Sequence, residues 1–325
     1  MILMKKNRKL TICVTNRRQF LVGASALAVT AGVDPRALYD QENRTRIILL
    51  GTKGGPSLAN KTGRSNASTL LLINNVPYVI DCGYGVSRQL ISAGVSLDRL
   101  RYIFITHHHS DHDLEYGTLF YNAWQAKRTP RVDAYGPTGL KRMTESFFDY
   151  MKFDVETRIA DEGMSDPRKL LTVHEFNRSG IVFQNSDVKV TSLRVRHPPI
   201  DQSYAYRFDA KDRSVVISGD TAYAPELADF AKGADVLIHE AMYLPAIEKL
   251  IQQNPDAKRL REHLLASHTS TEDVGRIASQ AGVKTLVLSH LVPGDDPSIT
   301  DEQWVEGVRK HFNGKIIVGK DLLEV

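Results

Sequence analysis

The sequence predicts an α/β sandwich, with mixed sheets covered by helices. Apolar runs of strand length recur along the chain. Early runs are joined by short turns, whereas later ones alternate with segments of helical periodicity. Polar residues with metal-binding chemistry stand where several of the runs stop.

Strand-like runs fall at Arg46–Leu50, Leu70–Ile73, Tyr78–Asp81, Arg101–Thr106, Val188–Arg196, Ser214–Ser218, Val236–His239, Thr285–Ser289 and Lys315–Val318. Helical patterns are clearest at Tyr84–Ala93, Leu114–Gln125, Leu140–Met151, Ala224–Ala231 and Glu302–His311. A further helix over Thr271–Ala281 has the strongest start signal. Ser270-x-x-Asp273 reads as a capping box, and Val274, Ile277, Ala278 and Ala281 repeat at helical spacing. Residues 152–180 are polar and weakly periodic, and read as a long surface loop or cap.

The first 31 residues read as an address. They hold six Lys or Arg and no acidic residue, with Arg17-Arg18 ahead of the small, apolar run Val22 to Val33. Basic start, paired arginines and apolar stretch make a twin-arginine signal segment over 1–31, implying bacterial export to the periplasm through that machinery. Cleavage is expected after Ala28 or Ala31, leaving 32–325 as one hydrolase domain. That mature chain has 36 basic residues (42 less 6) against 38 acidic ones, so the net charge of +4 belongs to the signal. A near-neutral body carries no global basic footprint, and no nucleic-acid partner is expected. Cys82 would remain as a lone, buried thiol. The sequence fixes no oligomeric state, and a dimer is compatible with it.

The most informative stretch is Ile105-Thr106-His107-His108-His109-Ser110-Asp111-His112. It follows an apolar strand, whose alternation lets His107 and His109 converge while His108 points elsewhere. Asp111 and His112 fall on the next turn, within reach of a second ion. Imidazole nitrogen and carboxylate oxygen suit zinc, and also manganese or iron. His197, Asp220 and His290 each sit where an apolar strand ends, the place where α/β sheets put their chemistry.

The set His107-x-His109-x-Asp111-His112, then His197, Asp220 and His290, resembles the metallo-β-lactamase superfamily from about Thr45 to the C-terminus. The resemblance implies an αβ/βα sandwich of two mixed sheets and a dinuclear site, most simply two Zn2+. One ion would take His107, His109 and His197, the other Asp111, His112 and His290, with Asp220 between them. His239-Glu240-Ala241, His268-Thr269-Ser270 and Tyr206-Arg207-Phe208 resemble elements of the tRNase Z-like branch, although Met242, the Thr269-Ser270 order and Lys53 depart from it.

The chemistry expected is ester hydrolysis by a metal-activated water. Asp111 would orient it, and His268, paired with Glu240, would act as general acid. The 23 positions from His197 to Asp220 leave no room for the inserted arm of tRNA-processing members. The resemblance therefore implies an arylsulfatase-like hydrolase of small anionic sulfate or phosphate esters. A small-molecule or cyclic-nucleotide phosphodiesterase ranks next, then a lactonase or other carboxyl-ester hydrolase, with tRNA 3'-processing below these. A non-enzymatic binding module would show gaps in the ligand set, and all seven positions are filled. His108 reads as outer or exposed, His239 as a structural hydrogen-bonding residue, and His174, His263 and His311 as surface residues.

Overall fold

A computed structural model describes residues 44–58, 61–127 and 131–325. The signal segment expected over 1–31 lies outside the described residues. In chain order come β1 (Arg46–Gly51), β2 (Ser68–Ile73), β3 (Val76–Ile80), α1 (Val86–Ser92), β4 (Tyr102–Phe104), the single turn α2 (Ser110–Asp113), α3 (Tyr116–Gln125), β5 (Val132–Pro137), α4 (Leu140–Tyr150) and α5 (Lys152–Glu162). Next are β6 (Leu171–Phe176), β7 (Gly180–Gln184), β8 (Val188–His197), β9 (Ile200–Ala210), β10 (Ser214–Ile217), α6 (Glu226–Phe230) and β11 (Val236–Met242). The last are α7 (Ile247–Gln252), α8 (Leu260–Ser267), α9 (Thr271–Ala281), β12 (Thr285–Val292), α10 (Asp301–Arg309) and β13 (Lys315–Val318).

Two sheets result, ordered β1-β2-β3-β4-β5-β6 and β13-β12-β11-β10-β9-β8-β7. Each is mixed. In the first, β1 to β3 pair antiparallel and β3 to β6 parallel. In the second, β7 to β10 pair antiparallel and β10 to β13 parallel. The expected αβ/βα sandwich is present.

The strands read as unbroken apolar runs because both of their faces are covered. Ile47 and Leu49 of β1 join Val215, Ile217 and Ile238 in the core between the sheets. Ile48 and Leu50, on the other face, pack with Val86 and Leu90 of α1. The second sheet's outer core holds Leu227, Val274, Ile277, Trp304 and Val308 from α6, α9 and α10. Each fully buried side chain of this kind contributes about 1.5–3 kcal/mol against exposure.

Residues 152–180 depart from the expected loop: they form α5, β6 and the start of β7. The helix is hard to read because only Val155 is fully buried in it. Its exposed face is held by i,i+4 pairs, Arg158 with Asp154 at 3.0 Å and with Glu162 at 2.7 Å. β6 is an edge strand, half-exposed along most of its length, so it lacks the apolar signature of the inner strands. Ser270 caps α9 through the Asp273 amide at 3.2 Å, but the reciprocal capping box belongs to Thr300 and Gln303 at α10.

Candidate metal centre

The parallel strands β4, β10 and β12 and the antiparallel β8 deliver their chemistry to one edge of the sandwich. β4 leads into the His107–His112 segment, β8 ends on His197, β10 leads to Asp220, and β12 carries His290. Among the described residues, three groups of side chains have their ligand atoms mutually within 4.8 Å; Glu240, His268 and His290 make one, and the other two are built on the predicted ligands. One is His107, His109, His197 and Asp220; the other is Asp111, His112, Asp220 and His290. The Asp220 carboxylate belongs to both.

Hydrogen bonds set the protonation of the rings. The Thr106 hydroxyl donates to Asp81 Oδ2 at 2.9 Å, so at 3.0 Å it can only accept from His107 Nδ1–H. His197 Nδ1–H donates to the Ser267 carbonyl at 2.9 Å. Both Nε2 atoms therefore carry lone pairs, and both point at His109 Nδ1, at 3.1 and 3.0 Å. Three nitrogens converge with at most one proton among them. A cation satisfies that arrangement.

The second group makes the same demand. His112 Nδ1–H donates to Asp81 Oδ2 at 2.8 Å, which turns Nε2 toward Asp220 Oδ2 at 3.3 Å and Asp111 Oδ2 at 3.7 Å. His290 Nε2 lies 3.1 Å from Asp220 Oδ2 and 3.2 Å from Asp111 Oδ2. Two carboxylates and two imidazoles crowd one buried point. Asp220 Oδ1 and His112 Nε2 are buried without a hydrogen-bond partner, an arrangement that costs free energy unless a ligand completes it. Burial pulls the His112 pKa down, but Asp220, Asp81 and Asp111 override it and hold it well above the ordinary value. His107 and His197, which lack such close carboxylates, move the other way, His197 to about 4, burial being the main cause in both. The donor set fits two divalent ions.

Glycine and backbone geometry hold the edge open. A Cβ on Gly83 would stand 2.3 Å from the Asp111 carbonyl, so only glycine allows β3's exit to approach that loop. Gly219, just before Asp220, has φ +59° and would meet the Tyr204 carbonyl at 2.7 Å. His290 itself sits at φ 43°, a strained position for a non-glycine residue and one held by its surroundings.

Beside the ligands lies the pair expected from sequence. His268 Nδ1 is 3.0 Å from Glu240 Oε2, and Thr221 N donates to Glu240 Oε1 at 2.8 Å. Burial lowers the His268 pKa, but the Glu240 carboxylate reverses this and raises it to about 9. The rings of His268 and His290 stack with centroids 5.6 Å apart.

Of the other histidines, His108 turns away to Asp113 at 2.8 Å. His239 is buried, its Nδ1 donating to the Glu240 carbonyl at 2.7 Å. His174 pairs with Asp133 at 3.0 Å and His311 with Glu272 at 3.3 Å, both away from the centre. His263 is different. It was expected on the surface, but its half-buried ring lies 6.2, 6.1 and 5.7 Å from those of His109, His197 and His268. It stands within α8, a short helix whose periodicity is too brief to read from sequence. Asp81 was missed too, although it ends the apolar run Tyr78–Asp81 as the other ligand-type residues end theirs. Its carboxylate binds Thr106 N at 2.8 Å as well as His112.

Residues 77–291 match the model of the beta-lactamase superfamily domain. Ribonuclease Z of Mycobacterium bovis is 30% identical over 282 residues, covering 86% of this chain and 97% of that one. Ribonuclease Z of Mycobacterium marinum is 29% identical over the same shares. Among solved structures, the metallo-beta-lactamase fold protein YhfI of Bacillus subtilis aligns with a TM-score of 0.63 at 21% identity, over 86% of this chain and 98% of that one. The short form of human tRNase Z aligns with a TM-score of 0.60 at 20% identity, over the same shares.

These relatives overturn two expectations, the arylsulfatase-like activity and the absence of a nucleic-acid partner. The missing arm between His197 and Asp220 carried the first and the near-zero net charge the second, and that interval is indeed filled by β9 and β10. Yet this chain spans 97% of a protein named Ribonuclease Z. The interval excludes one means of gripping RNA, and an overall charge near zero describes a sum, not a local surface.

Proposed function

This chain belongs to the beta-lactamase superfamily, and from that premise we propose that it is a metal-dependent phosphodiesterase of ribonuclease Z type, cleaving RNA near its 3' end. The observation that carries the reading is the match to Ribonuclease Z over almost that protein's whole length, with the two ligand groups assembled at one edge. Human tRNase Z has the same fold.

In this reading His107, His109 and His197 would hold one ion and Asp111, His112 and His290 the other, with Asp220 within reach of both. Nitrogen and oxygen donors in these proportions suit Zn2+, with Mn2+ or Fe2+ as alternatives. When bound, the ions would supply positive charge to the phosphodiester and acidify an attacking water. The protein supplies the rest. Asp81 and Thr106 hold His112 and His107 in the tautomers that present Nε2. Asp111 accepts the Gly55 amide at 2.8 Å, which fixes the carboxylate that orients the water. His268 donates its Nδ1 proton to Glu240, and that carboxylate raises its pKa, which favours a second proton on Nε2. That second proton is available to the leaving ribose oxygen.

The test is cleavage of a 3'-extended precursor tRNA by metal-quantified protein, beside a mature tRNA and an Asp220→Ala control. Release of the 3' extension by the wild type alone supports the proposal. Intact precursor in the presence of two bound ions per chain refutes it. The twin-arginine reading of residues 1–31 is a separate proposal, tested by cell fractionation and N-terminal sequencing. A protein recovered only from the cytoplasm with its N-terminus intact would remove it.

A further inference from the structure

We propose, resting on the RNA-cleaving reading, that His263 accepts a hydrogen bond from a ribose hydroxyl beside the scissile phosphate and so sets the preference for RNA over DNA. The residue stands on α8, one turn before the helix ends at Ser267. Its ring flanks His109, His197 and His268 at centroid distances of 5.7 to 6.2 Å, yet it belongs to neither ligand group. It is therefore next to the reacting centre without being committed to it.

Its tautomer follows from its neighbours. The Ser267 hydroxyl gives its single proton to the Pro198 carbonyl at 2.5 Å. At 3.3 Å from His263 Nδ1 it can then only accept, so Nδ1 carries the hydrogen and Nε2 carries the lone pair. The surrounding groups do not duplicate this. The lone pairs of His107 and His197 are directed into the ligand cluster, and His268, beside Glu240, is a donor. His263 alone in that ring offers a neutral acceptor at a half-exposed position.

A phosphodiester in RNA brings donors of the matching kind. The 2'-hydroxyl distinguishes the two nucleic acids at any one position. A polar group placed to meet a hydroxyl disfavours the analogue that lacks it, because the group is then left unpaired.

The experiment compares 3'-extended RNA with the same molecule carrying one 2'-deoxyribose at the nucleotide before the cut. Wild type, His263→Ala and His263→Gln are assayed with ion content measured in each. The wild type should prefer ribose by about 3- to 10-fold in kcat/KM, the worth of one hydrogen bond. His263→Ala should bring that ratio to about one with ion content unchanged, and His263→Gln, whose amide oxygen still accepts, should keep part of it. An equal loss on both substrates would assign His263 to structure alone and overturn the inference. An unchanged ratio in both variants would also overturn it while leaving the ribonuclease reading intact. Failure of the wild type to cut either RNA would sink the ribonuclease reading itself, and this inference with it.

Discussion

Asp81 binds no ion in this account, yet it fixes two of the rings that do. Its carboxylate accepts from His112 Nδ1 directly and from His107 through Thr106. Asp81→Asn keeps a residue that tolerates its φ of 63°, so it isolates the charge from the backbone. The expected result is a 10- to 100-fold loss of metal affinity, about what removing such an outer partner costs elsewhere, read by competition with a chromogenic chelator. Unchanged affinity would mean that the rings orient themselves. His268 makes a different prediction. His268→Ala should slow RNA cleavage by about 10²- to 10⁴-fold, but should barely affect a nitrophenyl phosphodiester whose leaving group needs no proton. Equal losses on both would remove it as general acid. Most of this site was legible residue by residue, because each ligand type stands where an apolar run stops. Asp81 shares that signal but reads equally well as a turn residue. The position of His263 depends on where α8 docks, and no local pattern encodes that.

Among the elements, legibility followed burial. β1, β2, β11 and β12 are covered on both faces and announced themselves as apolar runs. α5 is mostly exposed and β6 only half-buried, so their sequences resemble loops. The parallel pairing of β10 with β11 is held at its lower end by Asp235, whose carboxylate accepts from Ser214 N at 2.7 Å and from Lys284 at 2.6 Å. The Lys284 hydrogen bond is the main reason that the Asp235 pKa falls from 3.8 to about 2. A carboxyl depressed by folding stabilises the native state above its ordinary pKa, and that contribution is lost as pH falls through the folded value. Asp235→Asn should therefore lower Tm at pH 7, and the difference from wild type should shrink between pH 4 and about 2, where the wild-type carboxyl becomes neutral. A Tm difference independent of pH would mean that the hydrogen bonds matter and the charge does not. Gly83→Ala tests the crowded edge: with a Cβ 2.3 Å from the Asp111 carbonyl, it should disturb ion binding by shifting the backbone of that loop. Full ion content with wild-type Tm would contradict the requirement for glycine.

On the scale of the whole molecule, the centre is supplied by both sheets: His107 to His112 come from the first, and His197, Asp220 and His290 from the second. Bound ions should therefore hold the two layers together. An ion at 100 times its Kd adds about 2.7 kcal/mol to folding stability, so chelation should lower Tm by several degrees and readdition should restore it. A Tm unaffected by chelation would place the ions outside the fold's stability. The sandwich was evident from the order of the strands and helices, whereas the kind of ester was not. The ligand-type residues specify a metal centre, but not which ester reaches it. The account stands most directly on one titration: cleavage of a 3'-extended tRNA as ions are returned to the metal-free protein. It predicts activity that rises to a plateau at two ions per chain and is absent in Asp220→Ala. Full binding of two ions with the precursor left intact would contradict it.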